Sequence, residues 1–225
     1  MSPLRFLIDG ESLELQPQLG VVAGFTGRDA DAVRHHIEEL EREGISAPES
    51  VPSFYLIPPN ILVQEGAINV GHARTSGEAE IALLYEGADV YVTLASDHTD
   101  RQAETLDIAL SKEVCPKVFA STAWRYEEVA DAWDELTLRS WIEEDGERVL
   151  YQEGVASTLI APDDLLARMP FARRPERFAL LTGTVAVRGA IRGAARFWAE
   201  LTHPGSGRAI ELDYRIRPLD RLLGG

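Results

Sequence analysis

Basic charge and sulfur are what this sequence is short of. Lys and Arg number 22 against 37 Asp and Glu, leaving a formal net charge of −15. Such a chain suits neither nucleic acid, where affinity comes from Lys and Arg neutralising phosphates, nor an anionic membrane surface. The expected partners include neither. The single cysteine, Cys115, rules out an intrachain disulfide and any Cys-x-x-Cys metal site. Lysine is scarcer still relative to the charge count. Only Lys112 and Lys117 are lysines, and every other basic residue is arginine. A lysine that survives in such a sequence marks a place that wants a compact ammonium. No run approaches the roughly 18 apolar residues of a membrane span. The first apolar run ends at Asp9, too early for a signal peptide. A cytoplasmic protein is the expectation, and a hydrophobic content of 45% argues against disorder.

What is present reads as hairpins with a few helices. At 225 residues the chain can bury a core without disulfide or metal staples. With no repeat or low-complexity linker, one domain over residues 1–225 is expected, opened by a short hairpin within about the first 20 residues. In that hairpin Arg5 to Ile8 pairs with Leu13 to Leu15 across Asp9-Gly10. Val21 to Phe25 is an apolar strand between Gly20 and Gly27. Asp29 to Glu43 is the clearest helix, with Asp29 and Asp31 near its start, Arg42 near its end and Gly44 as C-cap. Pro48, Pro52, Pro58 and Pro59 then break the chain. Glu78 to Tyr85 and Val90 to Ala95 form a hairpin around Glu86 to Asp89. Leu136 to Glu143 and Arg148 to Gln152 form another around Asp145-Gly146. Helices are expected at Arg101 to Ser111, Tyr126 to Trp133 and Pro162 to Met169, and a strand at Lys117 to Ala120. Closing strands fall at Ala179 to Val187, Ala195 to Leu201 and Ala209 to Ile216. Strands outnumber helices without regular βαβ alternation, which gives an α+β, mainly β class.

The chemistry concentrates around one hairpin. Residues two apart on a strand share a face, so Glu78 and Glu80 point the same way, about 7 Å apart. Carboxylates that close repel unless a cation lies between them. Alone, the pair reads as a solvent-facing strand edge. The next strand ends in Asp97-His98-Thr99-Asp100-Arg101, and hairpin pairing brings Asp97 beside the two glutamates. Three carboxylates then converge, an all-oxygen set suited to Mg²⁺ or Mn²⁺.

These residues resemble the fumarylacetoacetate hydrolase superfamily, whose members carry a Glu-x-Glu strand and a later Asp-x-Ser/Thr-x-Arg segment. Further segments follow in the same order. Gly24-Phe25 with His36-Ile37-Glu38-Glu39 resembles the family's Gly…His-x-x-Glu stretch. Lys112 stands for the lysine after the Asp/Arg helix, and Leu181-Thr182-Gly183-Thr184 for the substrate-facing Thr-Gly-Thr. Pro204-Gly205 with Ile210 to Asp213 resembles the closing segment. The resemblance covers the chain from about Val21 onward. It departs at Tyr55-Leu56-Ile57, where a lysine is missing, at Val185 in place of proline, at Thr26-Gly27-Arg28 before the helix, and in a short interval from Glu80 to Asp97. The pattern is that of a divergent, uncharacterised prokaryotic branch.

The resemblance implies a mixed β-sandwich or β-roll core with few peripheral helices and a homodimer. Glu78, Glu80 and Asp97 would hold Mg²⁺ or Mn²⁺, or Ca²⁺. His36, Glu39 and Lys112 would be catalytic, and Arg101, Thr182, Gly183 and Thr184 would bind a small oxo-carboxylate. The helical wheel supports His36 over His35. Val33, Ile37 and Leu40 define the apolar face, His36 lies about 70° from its centre beside Glu39, and His35 points towards solvent. A partly buried His36 oriented by Glu39 would activate water. The implied reaction is hydrolysis of a C–C bond in a 2,4-dioxo acid, with hydratase, decarboxylase or isomerase chemistry open on the same scaffold. A non-catalytic binding protein and a thiol enzyme using Cys115 are the alternatives.

Overall fold

The computed structural model describes residues 3–42 and 46–223. The chain opens with β1 (Leu4–Ile8), β2 (Glu11–Leu15) and β3 (Gly20–Gly24), followed by α1 (Ala30–Arg42). Next come β4 (Ser53–Ile57), β5 (Leu62–Val63), β6 (Ala67–Val70) and β7 (Thr75–Ser76). The central hairpin is β8 (Ala79–Glu86) and β9 (Asp89–Asp97). After it lie β10 (Thr99–Asp100), α2 (Arg101–Glu104) and α3 (Ile108–Glu113). The rest comprises β11 (Lys117–Arg125), β12 (Thr137–Glu144), β13 (Glu147–Val155), α4 (Pro162–Arg168), β14 (Arg177–Thr184), β15 (Arg196–His203) and β16 (Arg208–Pro218).

A nine-stranded sheet runs β2-β1-β11-β9-β8-β14-β3-β4, with β5 added alongside β11. A five-stranded sheet runs β13-β12-β15-β16-β6. The fold is mainly β, as the hairpin pattern leads one to expect. The two sheets differ in sequence grammar for a physical reason. In β12, β15 and β16 buried and exposed residues alternate, because one face meets the core and the other meets water. Strand β8 is buried at nearly every position. One of its faces packs Ile81 and Leu83 with Phe197, Leu201 and Tyr214 of the smaller sheet. The other packs Ala82 and Leu84 with Phe6 and Leu15 of the first hairpin.

Several elements depart from expectation. The helix over Arg101 to Ser111 is two short helices, because Asp107 accepts the Leu110 N–H and starts a second one. Tyr126 to Trp133 forms 3₁₀ turns, at Tyr126–Glu128 and Ala130–Glu135. The strand at Lys117 continues to Arg125 through an irregularity between Phe119 and Ala123. Glu43 and the Gly44 cap lie outside the described residues. Among the described residues no helix is long and apolar enough to cross a membrane.

Candidate metal centre

Hairpin register assembles the site. Ala79 pairs with Ser96 and Glu80 with Ala95, and the Asp97 N–H donates to the Glu78 carbonyl at 2.9 Å. Glu78, Glu80 and Asp97 are buried, and each offers an oxygen within 4.8 Å of the others. Both lysines of the chain reach Asp97. The Lys112 ammonium stands 2.6 Å from one carboxylate oxygen and the Lys117 ammonium 2.8 Å from the other. Each Asp97 oxygen thus faces one ammonium group. Lys112 also lies 3.5 Å from Glu78 and 3.1 Å from the Thr99 hydroxyl. Arg101 meets Glu78 at 2.8 Å and Glu104 at 2.8 Å, and donates to Ser76 at 2.8 Å.

The acids are not shifted in the same direction. Burial pushes the Asp97 carboxyl up, but the two ammonium groups outweigh it and hold it far below the usual range. Burial likewise opposes Arg101 and Lys112 at Glu78, and the cations win. Glu80 goes the other way. Burial, then the charge of Asp97, raise it well above the ordinary carboxylate value. Among the described residues no cation pairs with it, and its one strong contact is the Gly183 N–H at 2.7 Å. Gly183 has φ +98°, and a Cβ there would lie 1.9 Å from the Thr26 hydroxyl, so only glycine can present this N–H.

The other sequence-nominated residues fall into two groups. The Thr182 hydroxyl donates to the Ile81 carbonyl and the Thr184 hydroxyl to the Ala79 carbonyl, at 2.9 and 2.7 Å. They tie β14 to β8 where the register of the two strands shifts. Arg101 similarly spends its guanidinium on Ser76, Glu78 and Glu104. His36 and Glu39 stand apart. The partial burial expected of His36 is not observed: its side chain is 57% exposed, against 66% for His35. Glu39 lies nearer His35, at 3.4 Å, than His36, at 3.8 Å. The cause is the packing of α1, which buries no residue. Val33 and Ile37 face Ile160, Ala161 and Arg168 across a cavity of 520 Å³. Among the described residues no hydrogen bond or ion pair links His36 or Glu39 to the three carboxylates. Cys115 is buried, and desolvation pushes its thiol up to about 11, so it is protonated at neutral pH and the thiol-enzyme alternative loses its nucleophile.

Three contributors escape sequence reasoning. Lys117 is the register partner of Asp97 on β11 and donates to the His98 carbonyl at 2.6 Å. Its signal was the scarcity of lysine, which marks both ammonium groups and cannot say where they meet. Gln152 on β13 is fully buried with all four bonding positions filled. Its carbonyl accepts from the Ala79 N–H and the Ser140 hydroxyl, and its amide donates to the Thr184 hydroxyl and the Val185 carbonyl. Ala79 lies between the two glutamates, so this amide fixes the backbone that aims them. His98 bonds the Tyr214 and Thr75 hydroxyls, each at 2.9 Å. Burial, then Lys117 and Arg101, push it down to about 3, so it stays neutral.

A family model described as "Protein of unknown function (DUF2848)" matches residues 23–214. The chain belongs to that family. No curated protein matches the sequence. Solved structures do match this DUF2848 member over nearly its whole length. A 2-keto-3-deoxy-D-arabinonate dehydratase, in its apo form, aligns with TM-score 0.68 and 16% identity, over 90% of this chain and 74% of its own. A putative fumarylpyruvate hydrolase from Burkholderia cenocepacia aligns with TM-score 0.66 and 16% identity, over 96% and 92%. A putative fumarylacetoacetate hydrolase family protein from Yersinia pestis CO92 gives 0.65 and 18%, over 95% and 99%. The DUF2848 chain has the fumarylacetoacetate hydrolase fold, in a branch divergent in sequence.

Proposed function

We propose that the protein is a divalent-metal-dependent enzyme of small oxo-carboxylates, and that it hydrolyses a C–C bond in a 2,4-dioxo, acylpyruvate-like acid. The observation that carries this reading is the convergence of Glu78, Glu80 and Asp97 in the interior. The donor set fits a hard cation, Mg²⁺ or Mn²⁺ and also Ca²⁺. Glu80 has no cationic partner among the described residues and is raised by burial and by the charge of Asp97, so a cation placed between them relieves both. A neighbour of the same fold, 2-keto-3-deoxy-D-arabinonate dehydratase, is known in complex with magnesium and 2,5-dioxopentanoate, which supports both the cation and the oxo-acid.

A cation held by the three acids supplies Lewis acidity where negative charge develops on the substrate, worth several kcal/mol. The chain's own residues do the rest. Arg101 and Lys117 keep Glu78 and Asp97 ionised and oriented. Thr182, Thr184 and Gln152 hold the strand that carries the glutamates, and the Gly183 N–H holds Glu80. Lys112, on a flexible stem, polarises a substrate oxygen. For His36 to take the proton of the attacking water, α1 would have to carry it to the centre, from which it stands apart here. The dehydratase among the neighbours favours a second reading on the same site, addition or loss of water at a 2-oxo acid.

The test is a panel of acylpyruvates and 2-oxo acids, followed through loss of the near-ultraviolet enol band. Turnover of at least one substrate with Mg²⁺ or Mn²⁺, lost in EDTA and restored by the metal, is expected. Pyruvate plus a free acid identifies hydrolysis, and a mass change of one water the second reading. Metal binding without turnover across the panel would leave a binding protein.

A further inference from the structure

Two ammonium groups serve one carboxylate, and they are held in different ways. Lys117 sits opposite Asp97 in the β9–β11 register and is anchored on the His98 carbonyl. Strand pairing and a backbone acceptor fix it whatever else the site contains. Lys112 reaches in from the last turn of α3 on a four-carbon stem. Its three contacts are Asp97, Glu78 and the Thr99 hydroxyl. Two of these three are acids that a divalent cation would take, and a cation bound to them would repel the ammonium.

We infer that Lys112 is a displaceable internal cation, which neutralises Asp97 and Glu78 in the absence of a divalent ion and competes with that ion for them, while Lys117 stays in place. This rests on the metal reading of the three acids. It also gives the two lysines separate tasks. Lys117 is structural charge compensation. Lys112 lowers the affinity for the ion and, once displaced, is free to face the bound ligand. Arginine would do this poorly, because its planar fork is suited to fixed, two-point pairing with a carboxylate.

The sequence makes the test direct, because lysine-selective isotope labelling yields only two side-chain signals. The Lys112→Arg variant assigns them. During a Mg²⁺ titration of the wild type, the Lys112 signal is expected to shift and its ammonium protons to exchange faster, while the Lys117 signal holds. In parallel, calorimetry should show Lys112→Met binding Mg²⁺ more tightly than the wild type, by about tenfold or more, because a competing charge is gone. Wild-type binding with a static Lys112 signal, or equal or weaker binding by Lys112→Met, overturns the inference and leaves the metal reading intact. Binding of Mg²⁺ and Mn²⁺ by neither protein removes the metal reading, and the inference with it. Should Lys112→Met fold poorly, Lys112→Gln replaces it, and the labelled wild type decides by itself.

Discussion

At the ends of β8 and β9 the buried acids are each tied to other elements, whereas on α1 the ion pairs of Arg34 and of the two histidines are made within the helix itself. Glu78 is held from α2 and α3, Asp97 from α3 and β11, and Glu80 from β14. On α1, Arg34 meets Asp31, and both histidines share Glu39. The first region is over-determined, so a change at one residue leaves buried charges stranded. The second is locally sufficient, so its side chains can be replaced with little structural consequence. A substitution at the first therefore reads on stability as well as on metal binding, whereas one on α1 reads on the proposed catalytic role alone.

Asp97→Asn should break this contrast most visibly. The change removes the counter-charge of two buried ammonium groups, and breaking a buried pair in this way costs about 3–5 kcal/mol. The same variant, like Glu80→Gln, should lose stabilisation by Mg²⁺ or Mn²⁺. In the wild type that stabilisation is about 2.7 kcal/mol at a hundred times Kd. Melting curves with and without metal decide the matter, and equal metal shifts in all three proteins would remove the site assignment.

The next effect belongs to α1. His36→Ala should leave the melting temperature within the small range of surface substitutions, about 0.5 kcal/mol. Its kcat should nevertheless fall by roughly 10²–10⁴, as for a general base. His35→Ala should change neither. Glu39 lies closer to His35 than to His36, so the comparison of the two variants is a sharp one. A kcat loss confined to His35→Ala would transfer the role to the neighbouring histidine.

How much of this was legible in the sequence follows from the same contrast. Strand periodicity and the Gly87-Ala88 turn fix the β8–β9 register, and register alone brings Asp97 to the glutamates. Local pattern thus reached a long-range fact, because antiparallel pairing converts position in sequence into position in space. The wheel of α1 identified the side bearing Val33 and Ile37, but periodicity carries no information on whether another element covers that side. Gln152 lay beyond reach for a different reason. Nothing near Gln152 in sequence marks it, and its partners come from β8, β12, β14 and the residue after β14. Lys117 was visible as a rare residue, without its partner.

Gln152→Leu would strand the Ala79 N–H, the Ser140 hydroxyl and the Val185 carbonyl in the core. Buried groups left without partners cost about 1–3 kcal/mol each, before relaxation. Gln152→Glu keeps the acceptor and loses the amide donors. If Gln152 aims the glutamates, Mn²⁺ affinity should fall in both variants, and Gln152→Glu should retain more of it at the Ala79 side. Reduced melting temperature with unchanged Mn²⁺ affinity would make Gln152 a packing residue with no influence on the centre.

The smallest effect separates the acids from one another. Glu80 is raised, so the folded protein holds its proton more tightly than the unfolded chain. That contributes stability present in full below the ordinary carboxylate range and lost as pH rises through the raised value. Asp97 and Glu78 are depressed, and their contribution is present above their ordinary values of 3.8 and 4.5 and lost as pH falls through the folded values. Above about pH 5 two buried groups change in opposite directions. The Glu80 contribution is lost as pH rises, while that of neutral His98 grows until the unfolded imidazole, ordinarily at 6.5, has released its proton. The Glu80 part is therefore read as the difference between wild type and Glu80→Gln. Glu80→Gln keeps an acceptor for the Gly183 N–H but cannot titrate, so its stability should fall less, or rise more, with pH than that of the wild type. A bound divalent cation takes the place of the proton, so Mg²⁺ should also remove the Glu80 loss from the wild-type curve and bind more tightly at higher pH. Denaturant unfolding between about pH 5 and pH 8, with and without Mg²⁺, measures all three curves. Parallel curves for wild type and Glu80→Gln in the absence of metal would mean that Glu80 is already ionised, and that the neighbouring Lys112 compensates it as fully as it does Asp97.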